Sequence, residues 1–474
     1  MLYPDKSGYK IFDRRKVFKT NYLFSNKDLK KLIIPLVIEQ ILSIAVGMAD
    51  TIMVASVGEA AVSGVSLVDN INILIINILG AIATGGAVVA GHYIGQKNKE
   101  KACRSAWQLF LLSGVIATFI TVVYLFLHEI ILTKVFGNIT PEVMYNARIY
   151  LLITAVSIIP LAFYNSGAAI FRAMGNSKVT MWVSVVMNVV NISGNAIMIY
   201  GMGVGVEGAA IPTTISRVVA AIIIVVMLFK PDRVITLAGQ FRENIRLERH
   251  MIKKILYIGI PNGMENSLFQ LGKILLLSLI STFGTISIAA NAVANTMTLF
   301  NILPGIAIGY AQLSVVSVCV GAGDIKQARY YSMKLMKLTY FSMMALSAFL
   351  YFFADSIIKI YRLSPETEAL ALKLVIFHSI MVLISWVPSF SLTNTFRAAG
   401  DVIMPMITAG VSMWVFRIIT AYIFSYFFHL GLFGVWIAMI IDWFFRAIVF
   451  TIRYVKGTWA KRICQAEPEK VKAV

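Results

Sequence analysis

Apolar runs of about 20 residues recur along almost the whole chain, and few folds can accommodate them. About 20 apolar residues form a helix long enough to cross a hydrocarbon layer about 30 Å thick. In lipid the backbone must satisfy its own hydrogen bonds, as it does in a helix. By that measure twelve spans are predicted, at 31–56, 67–92, 106–127, 147–171, 179–200, 208–229, 255–281, 291–320, 334–354, 371–396, 403–427 and 434–454. The longest polar stretch runs only from about Lys230 to Lys254. A soluble chain of 474 residues would be about a quarter charged and split into several domains. Here 58% of residues are hydrophobic and 14% charged, which excludes a soluble enzyme, a nucleic-acid-binding domain and a disordered scaffold. The expected fold class is an all-α membrane protein.

The net charge of +19 is decided by its placement. Counting those at span ends with the segment they adjoin, 33 of the 42 Lys and Arg go with the N-terminal arm, the tail and alternate inter-span segments, all on one side of the membrane. Five (Lys134, Arg148, Lys359, Arg362 and Lys373) fall in or at the edge of the loops on the other side, and Arg217, Lys273, Arg417 and Arg446 lie deeper within spans. That asymmetry orients a membrane protein and predicts both termini in the cytoplasm, with the spans in the cell membrane. It is not a phosphate-binding patch, and no nucleic-acid partner is expected. Cys103, Cys319 and Cys464 are scattered and odd in number, so neither a disulfide nor a metal site is expected. The predicted organisation is an arm at 1–30, a six-helix lobe at 31–229, a linker at 230–254, a second lobe at 255–454 and a tail at 455–474.

The two lobes repeat. At an offset of 226, Pro35 matches Pro261, Glu39 matches Glu265, Gly58 matches Gly284, Gly95 matches Gly321 and Ala102 matches Ala328. Thr140-Pro141-Glu142 matches Ser364-Pro365-Glu366, and FRAMGN (171–176) matches FRAAGD (396–401), within two residues of that offset. Six spans per repeat give both halves one orientation, so a pseudo-twofold along the membrane normal should relate two six-helix bundles. This arrangement suits a transporter that rocks two lobes about a shared site. A channel would need a filter or repeated pore loop, and the sequence offers neither.

The stretch ADTIMVASVG in span 1, FRAMGNSK with its copy FRAAGD, and Asn191 and Asn195 ahead of Tyr200-Gly201 resemble the multidrug and toxic compound extrusion (MATE) transporters over essentially the whole chain. The resemblance implies a secondary antiporter, in which entry of protons or sodium ions drives export of bulky, often cationic, organic compounds. It implies a coupling-ion role for Asp50, with Asn191 and Asn195 on the polar face of helix 5, where many relatives carry an aspartate second. The glutamate and aspartate of sodium-coupled members would fall near Gln270 and Trp386, neither acidic.

An ionisable group in hydrocarbon costs at least about 2.5–3.5 kcal/mol, so each needs a partner, water or a role. Glu39 and Asp50 lie eleven residues apart, some 20° off one helical face, about 12 and 28 Å beyond Lys31. Glu39 and Glu265 each follow a proline by four residues and read either as structural or gating groups or as direct contacts. Asp50 and Lys273 break the duplication, since their repeat positions are Leu276 and Gly47. Lys273 either snorkels to the outer interface or pairs with an acid, Glu265 and Asp50 being the candidates. Asn188, Asn191 and Asn195 share one face, for a site or for interhelical bonding. Asp442 and Arg446 read as a structural pair, and His378 as a packing residue rather than a proton carrier.

The expected site is therefore Asp50, Glu39, Asn191, Asn195, Glu265 and Lys273, in an exporter of organic, mainly cationic, compounds. No cofactor or catalytic chemistry is expected, a monomer among membrane lipid is, and protons are favoured over sodium because a proton asks only for one buried carboxylate. A flippase of lipid-linked oligosaccharide precursors is the alternative, disfavoured by the acids of the cavity.

Overall fold

The computed structural model describes residues 22–137, 139–238 and 247–460; most of the N-terminal arm, part of the linker and the tail with Cys464 lie outside them. The described residues fold into twelve membrane helices in two bundles of six. The first lobe comprises α1 (Asn26–Ala55), α2 (Glu59–Gly95), α3 (Lys99–Phe136), α4 (Pro141–Val156, continued as Ile158–Ala173), α5 (Ser177–Asn195, continued as Ala196–Gly201) and α6 (Glu207–Leu228). The second comprises α7 (Arg249–Ser281), α8 (Thr285–Gly321), α9 (Ile325–Lys359), α10 (Pro365–Ala398), α11 (Ile403–Val411, continued to Phe427) and α12 (Gly431–Lys456). Ten are long and apolar enough to cross a membrane unbroken, and α4 does so with a bend of 49°. The remaining helix, α7, is 33 residues long but more polar, because Asn262, Glu265, Asn266, Gln270 and Lys273 sit on it.

Helix ends extend well past the predicted spans. Hydropathy reports where the hydrocarbon lies, whereas a helix runs until its caps stop it. Asn98 and Asp324, at an offset of 226, cap α3 and α9 by accepting from the backbone N–H of Lys101 and Gln327 at 3.0 and 2.9 Å. The duplicated Thr140-Pro141 and Ser364-Pro365 are caps followed by proline in the first turn, where a missing N–H costs nothing. Consequently α2 begins at Glu59, eight residues before the predicted span.

The lobes meet through the halves of their helices nearest the termini. There α2 crosses α8, with Gly95 against the backbone of Val318 and Ala322, and its repeat mate Gly321 against His92. Glycine is required because a Cβ at either position would overlap neighbouring backbone. Likewise α7 packs on α2: a Cβ on Gly259 would lie 3.2 Å from Ile82 Cα, and one on Gly263 would lie 3.5 Å from Ala81 Cβ. His92 Nε2 lies 2.7 Å from the carbonyl of Ala398. Short polar ties add to this seam. Tyr331 donates to the carbonyl of Phe24 at 2.6 Å, and Arg104 donates to Glu248 at 3.2 Å. Farther from the termini the facing surfaces are only partly covered, among them Ile71, Leu74 and Ile78 of α2 and Asn266, Gln270 and Lys273 of α7.

Candidate functional site

Each lobe holds a buried acid four residues after its first proline, and each acid meets an arginine from the duplicated FRA motif. Glu39 on α1 accepts from Arg172 at 3.4 Å and from the Thr180 hydroxyl at 2.7 Å. Glu265 on α7 accepts from Arg397 at 2.7 Å. The acids' side chains are 9% exposed and those of the arginines 15%. A pair this buried costs more to break than it gains over apolar packing, so its role is to fix where α4 and α10 sit on α1 and α7. Arg172 also stacks over the ring of Tyr310 in the other lobe, 4.8 Å from its centroid.

The first lobe holds a polar pocket farther from the termini. Asp50 on α1 accepts from the Asn195 amide at 2.6 Å. Asn191, one turn earlier on α5, donates to Thr213 on α6 at 3.0 Å. The carbonyl oxygens of Asn191 and Asn195 are buried without a hydrogen-bond partner, which leaves two amide acceptors unsatisfied one turn apart on α5. Asp69 on α2 stands close by and hydrogen-bonds Tyr150 of α4. Arg217 of α6 donates to Ser157 at 2.6 Å and acts electrostatically on both Asp50 and Asp69. The pocket thus holds two carboxylates, one guanidinium and two unpartnered amide oxygens: a place that can take up a proton or a small cation.

Position for position, the second lobe differs. Leu276 replaces Asp50, Arg417 replaces Asn191, Ala421 replaces Asn195 and Trp443 replaces Arg217 at the same offset. Arg446 donates to Asp442 at 3.0 Å and to Ser412 at 2.6 Å, which bears out the expected structural pair. Arg417 lies 3.6 Å from the other oxygen of Asp442. Lys273, Arg417 and Arg446 all lie over the ring of Phe269, at 5.1, 5.2 and 5.4 Å from its centroid. His378 is buried edge-on to Trp436 and Trp443, in a packing role.

The sequence-predicted residues therefore divide into three groups. Asp50, Asn191 and Asn195 come together, Glu39 and Glu265 occupy duplicated ion pairs, and Lys273 stands apart from both sets. Lys273 has no carboxylate within ion-pair distance among the described residues. Glu265, eight residues earlier, is about 12 Å away along the helix and already holds Arg397. Asp69 and Arg217 were not anticipated as site residues. A predicted span starting at residue 67 puts Asp69 at the membrane surface, whereas α2 begins at Glu59 and carries it about 15 Å in. Their signal was available: Asp69 faces Asn295 across the repeat, and Arg217 faces Trp443.

The sequence pattern of the MatE family matches residues 35–197 and again residues 261–423, two segments offset by 226 at both ends. The chain belongs to the MATE family. It is a multi-pass membrane transporter of small organic substrates, not an enzyme, and the flippase alternative is not favoured. MATE transporters run on ion gradients. Among relatives, the chain is 27% identical over 459 residues to a protein named uncharacterized transporter YisQ of Bacillus subtilis, covering 95% of this chain and 99% of that one. It is 26% identical over 454 residues to a probable multidrug resistance protein NorM of Thermotoga maritima, covering 92% and 93%. The fold superposes with a TM-score of 0.85 on an outward-facing multidrug resistance MATE transporter, at 24% identity over 93% of this chain and 96% of that one.

Proposed function

We propose that this MATE transporter exports organic compounds, of the multidrug kind named for its NorM relatives, in exchange for protons carried by the first-lobe pocket. The observation that carries this reading is the bond from Asn195 to Asp50 at 2.6 Å, beside two buried amide oxygens that lack donors. Protonation of Asp50 would add a donor close to two amide oxygens that lack one. The equilibrium between the two states of the lobes then depends on whether the proton is bound, which is what coupling requires. The uncovered surfaces of α2 and α7, away from the termini, form the path by which cargo leaves. The basic face carrying the termini is cytoplasmic, the membrane is the cell membrane, and the chain works as a monomer among membrane lipid.

Sodium is the competing ion, since Asp50 and the same two amide oxygens are also its ligand types. Protons are favoured because the positions of the acids of sodium-coupled members fall near Gln270 and Trp386, neither acidic, and a proton asks for only one buried carboxylate. In proteoliposomes, an imposed pH gradient should drive export without sodium, and Asp50→Asn should abolish it while the protein stays folded. Export driven by a sodium gradient at constant pH, and indifferent to a pH gradient, would overturn the reading.

The expectation of cationic cargo rested on Glu39, Glu265 and Asp50 as cavity acids. Glu39 and Glu265 are bound to arginines, and Asp50 is turned into its own lobe against Asn195, so the charge facing the gap is that of Lys273.

A further inference from the structure

Around Phe269 the second lobe gathers more positive charge than the acid beside it can balance, and one of these cations faces the space between the lobes. Lys273, Arg417 and Arg446 surround the single ring of Phe269, and among the described residues the one carboxylate paired with them is Asp442. Asp442 is fully buried and shared between Arg446 and Arg417, which leaves an excess of two positive charges. Arg417 is 7% exposed, and two of its nitrogens, Nε and Nη1, are buried without a hydrogen-bond partner. Lys273, the electrostatic neighbour of Arg417, is exposed.

The direction in which Lys273 points follows from its register on α7. Ile255, Gly259 and Gly263 form the face that packs against α2 of the other lobe. Lys273 lies eighteen residues beyond Ile255, which is five whole turns at 3.6 residues per turn, so it returns to that face. Asn266 and Gln270 lie on the same stripe and are half-buried. The residues toward the second lobe's own core, Gly272 and Leu276, are buried. Lys273 therefore stands on the wall that looks across to the first lobe, beyond the point where the lobes touch. A lysine at membrane depth would be expected to seek a carboxylate. Here its nearest charged neighbour is another cation.

We propose that Lys273, backed by the field of Arg417 and Arg446, forms an anion subsite that binds a carboxylate of the transported molecule. The three amino protons of Lys273 supply the direct contact, while the buried guanidinium groups add attraction without touching the ligand. Asn266 and Gln270 give further donors along the same wall. The cargo selected in this way is an amphiphile bearing a carboxylate, anionic or zwitterionic, rather than a plain organic cation. This inference takes from the proposed function only the idea that cargo enters the gap; the binding assay below needs no ion gradient, so it stands or falls separately from proton coupling.

The test uses a matched pair of dyes, rhodamine B and its ethyl ester, which differ by one free carboxylate. Their affinities for the purified full-length protein in lipid nanodiscs are read by fluorescence anisotropy. The wild type should bind rhodamine B about tenfold more tightly than the ester, as expected of one charge-assisted contact. Lys273→Met should remove that preference by weakening rhodamine B binding without weakening that of the ester, whose retained binding also reports that the variant is folded. Lys273→Arg should retain the preference. Equal affinities in the wild type, tighter binding of the ester, or a preference that persists in Lys273→Met would each overturn the proposal.

Discussion

The two lobes are copies of one six-helix unit, and the contrast between what each has kept and what each has changed separates scaffold from site. The caps Asn98 and Asp324, the crossing glycines Gly95 and Gly321, and the ion pairs Glu39–Arg172 and Glu265–Arg397 occur in both. These groups terminate helices, let backbones approach and hold helices together, tasks that either lobe needs equally. The interiors farther from the termini have diverged in charge. The first lobe places Asp50, Asp69, Asn191, Asn195 and Arg217 together; the second gathers three cations and one acid around Phe269. Even the backbone differs there, because α11 widens into a π-helical stretch over Ser412–Ile419, which includes Arg417, whereas α5 does so only past Asn195. Such stretches often accompany functional sites. Duplication supplied two identical frames, and an asymmetric transporter needs different chemistry in each.

The largest effect expected is at Asp50. Asp50→Asn should reduce gradient-driven export to background in proteoliposomes while leaving the melting temperature in detergent unchanged. Residual coupled export would move the proton site elsewhere, with Asp69 next to be substituted.

Breaking the duplicated scaffold should cost stability in both lobes alike. Arg172→Ala and Arg397→Ala each strand a buried carboxylate, at about 3–5 kcal/mol. Thermal unfolding should show both variants similarly destabilised, and combining Arg397→Met with Glu265→Met should recover most of the loss. Destabilisation confined to one lobe would show that the shared pairs do not do the same job.

The crossing glycines should give a smaller effect. Gly95→Ala and Gly321→Ala force the terminal halves of α2 and α8 apart, at about 1–3 kcal/mol each for an overpacked contact. Cysteine pairs across this seam should crosslink less efficiently in both variants. Unchanged crosslinking would mean that the lobes do not meet there in the membrane.

Much of this was legible in the sequence. Twelve apolar runs and a nearly constant repeat offset define the architecture, because the hydrocarbon thickness and the duplication both write themselves along the chain. Glu39 and the FRAMGN motif were each visible, but their pairing joins residues 133 apart and exists only once α4 lies against α1. Asp69 was hidden by a span drawn eight residues too short, since hydropathy falls off before the helix ends. Lys273 was visible as an anomaly, yet its surroundings were not: Arg417 and Arg446 come from α11 and α12, and only tertiary packing brings them to one ring.

The most direct test of a division of labour between the lobes is the proton released or taken up when cargo binds. Purified protein in a weakly buffered solution with a pH indicator should show a proton signal on addition of the rhodamine ethyl ester. That signal should vanish in Asp50→Asn and persist with the same pH dependence in Lys273→Met, because no carboxylate among the described residues lies within ion-pair distance of Lys273. A signal that survives in Asp50→Asn, or disappears in Lys273→Met, would contradict the assignment of coupling to the first lobe.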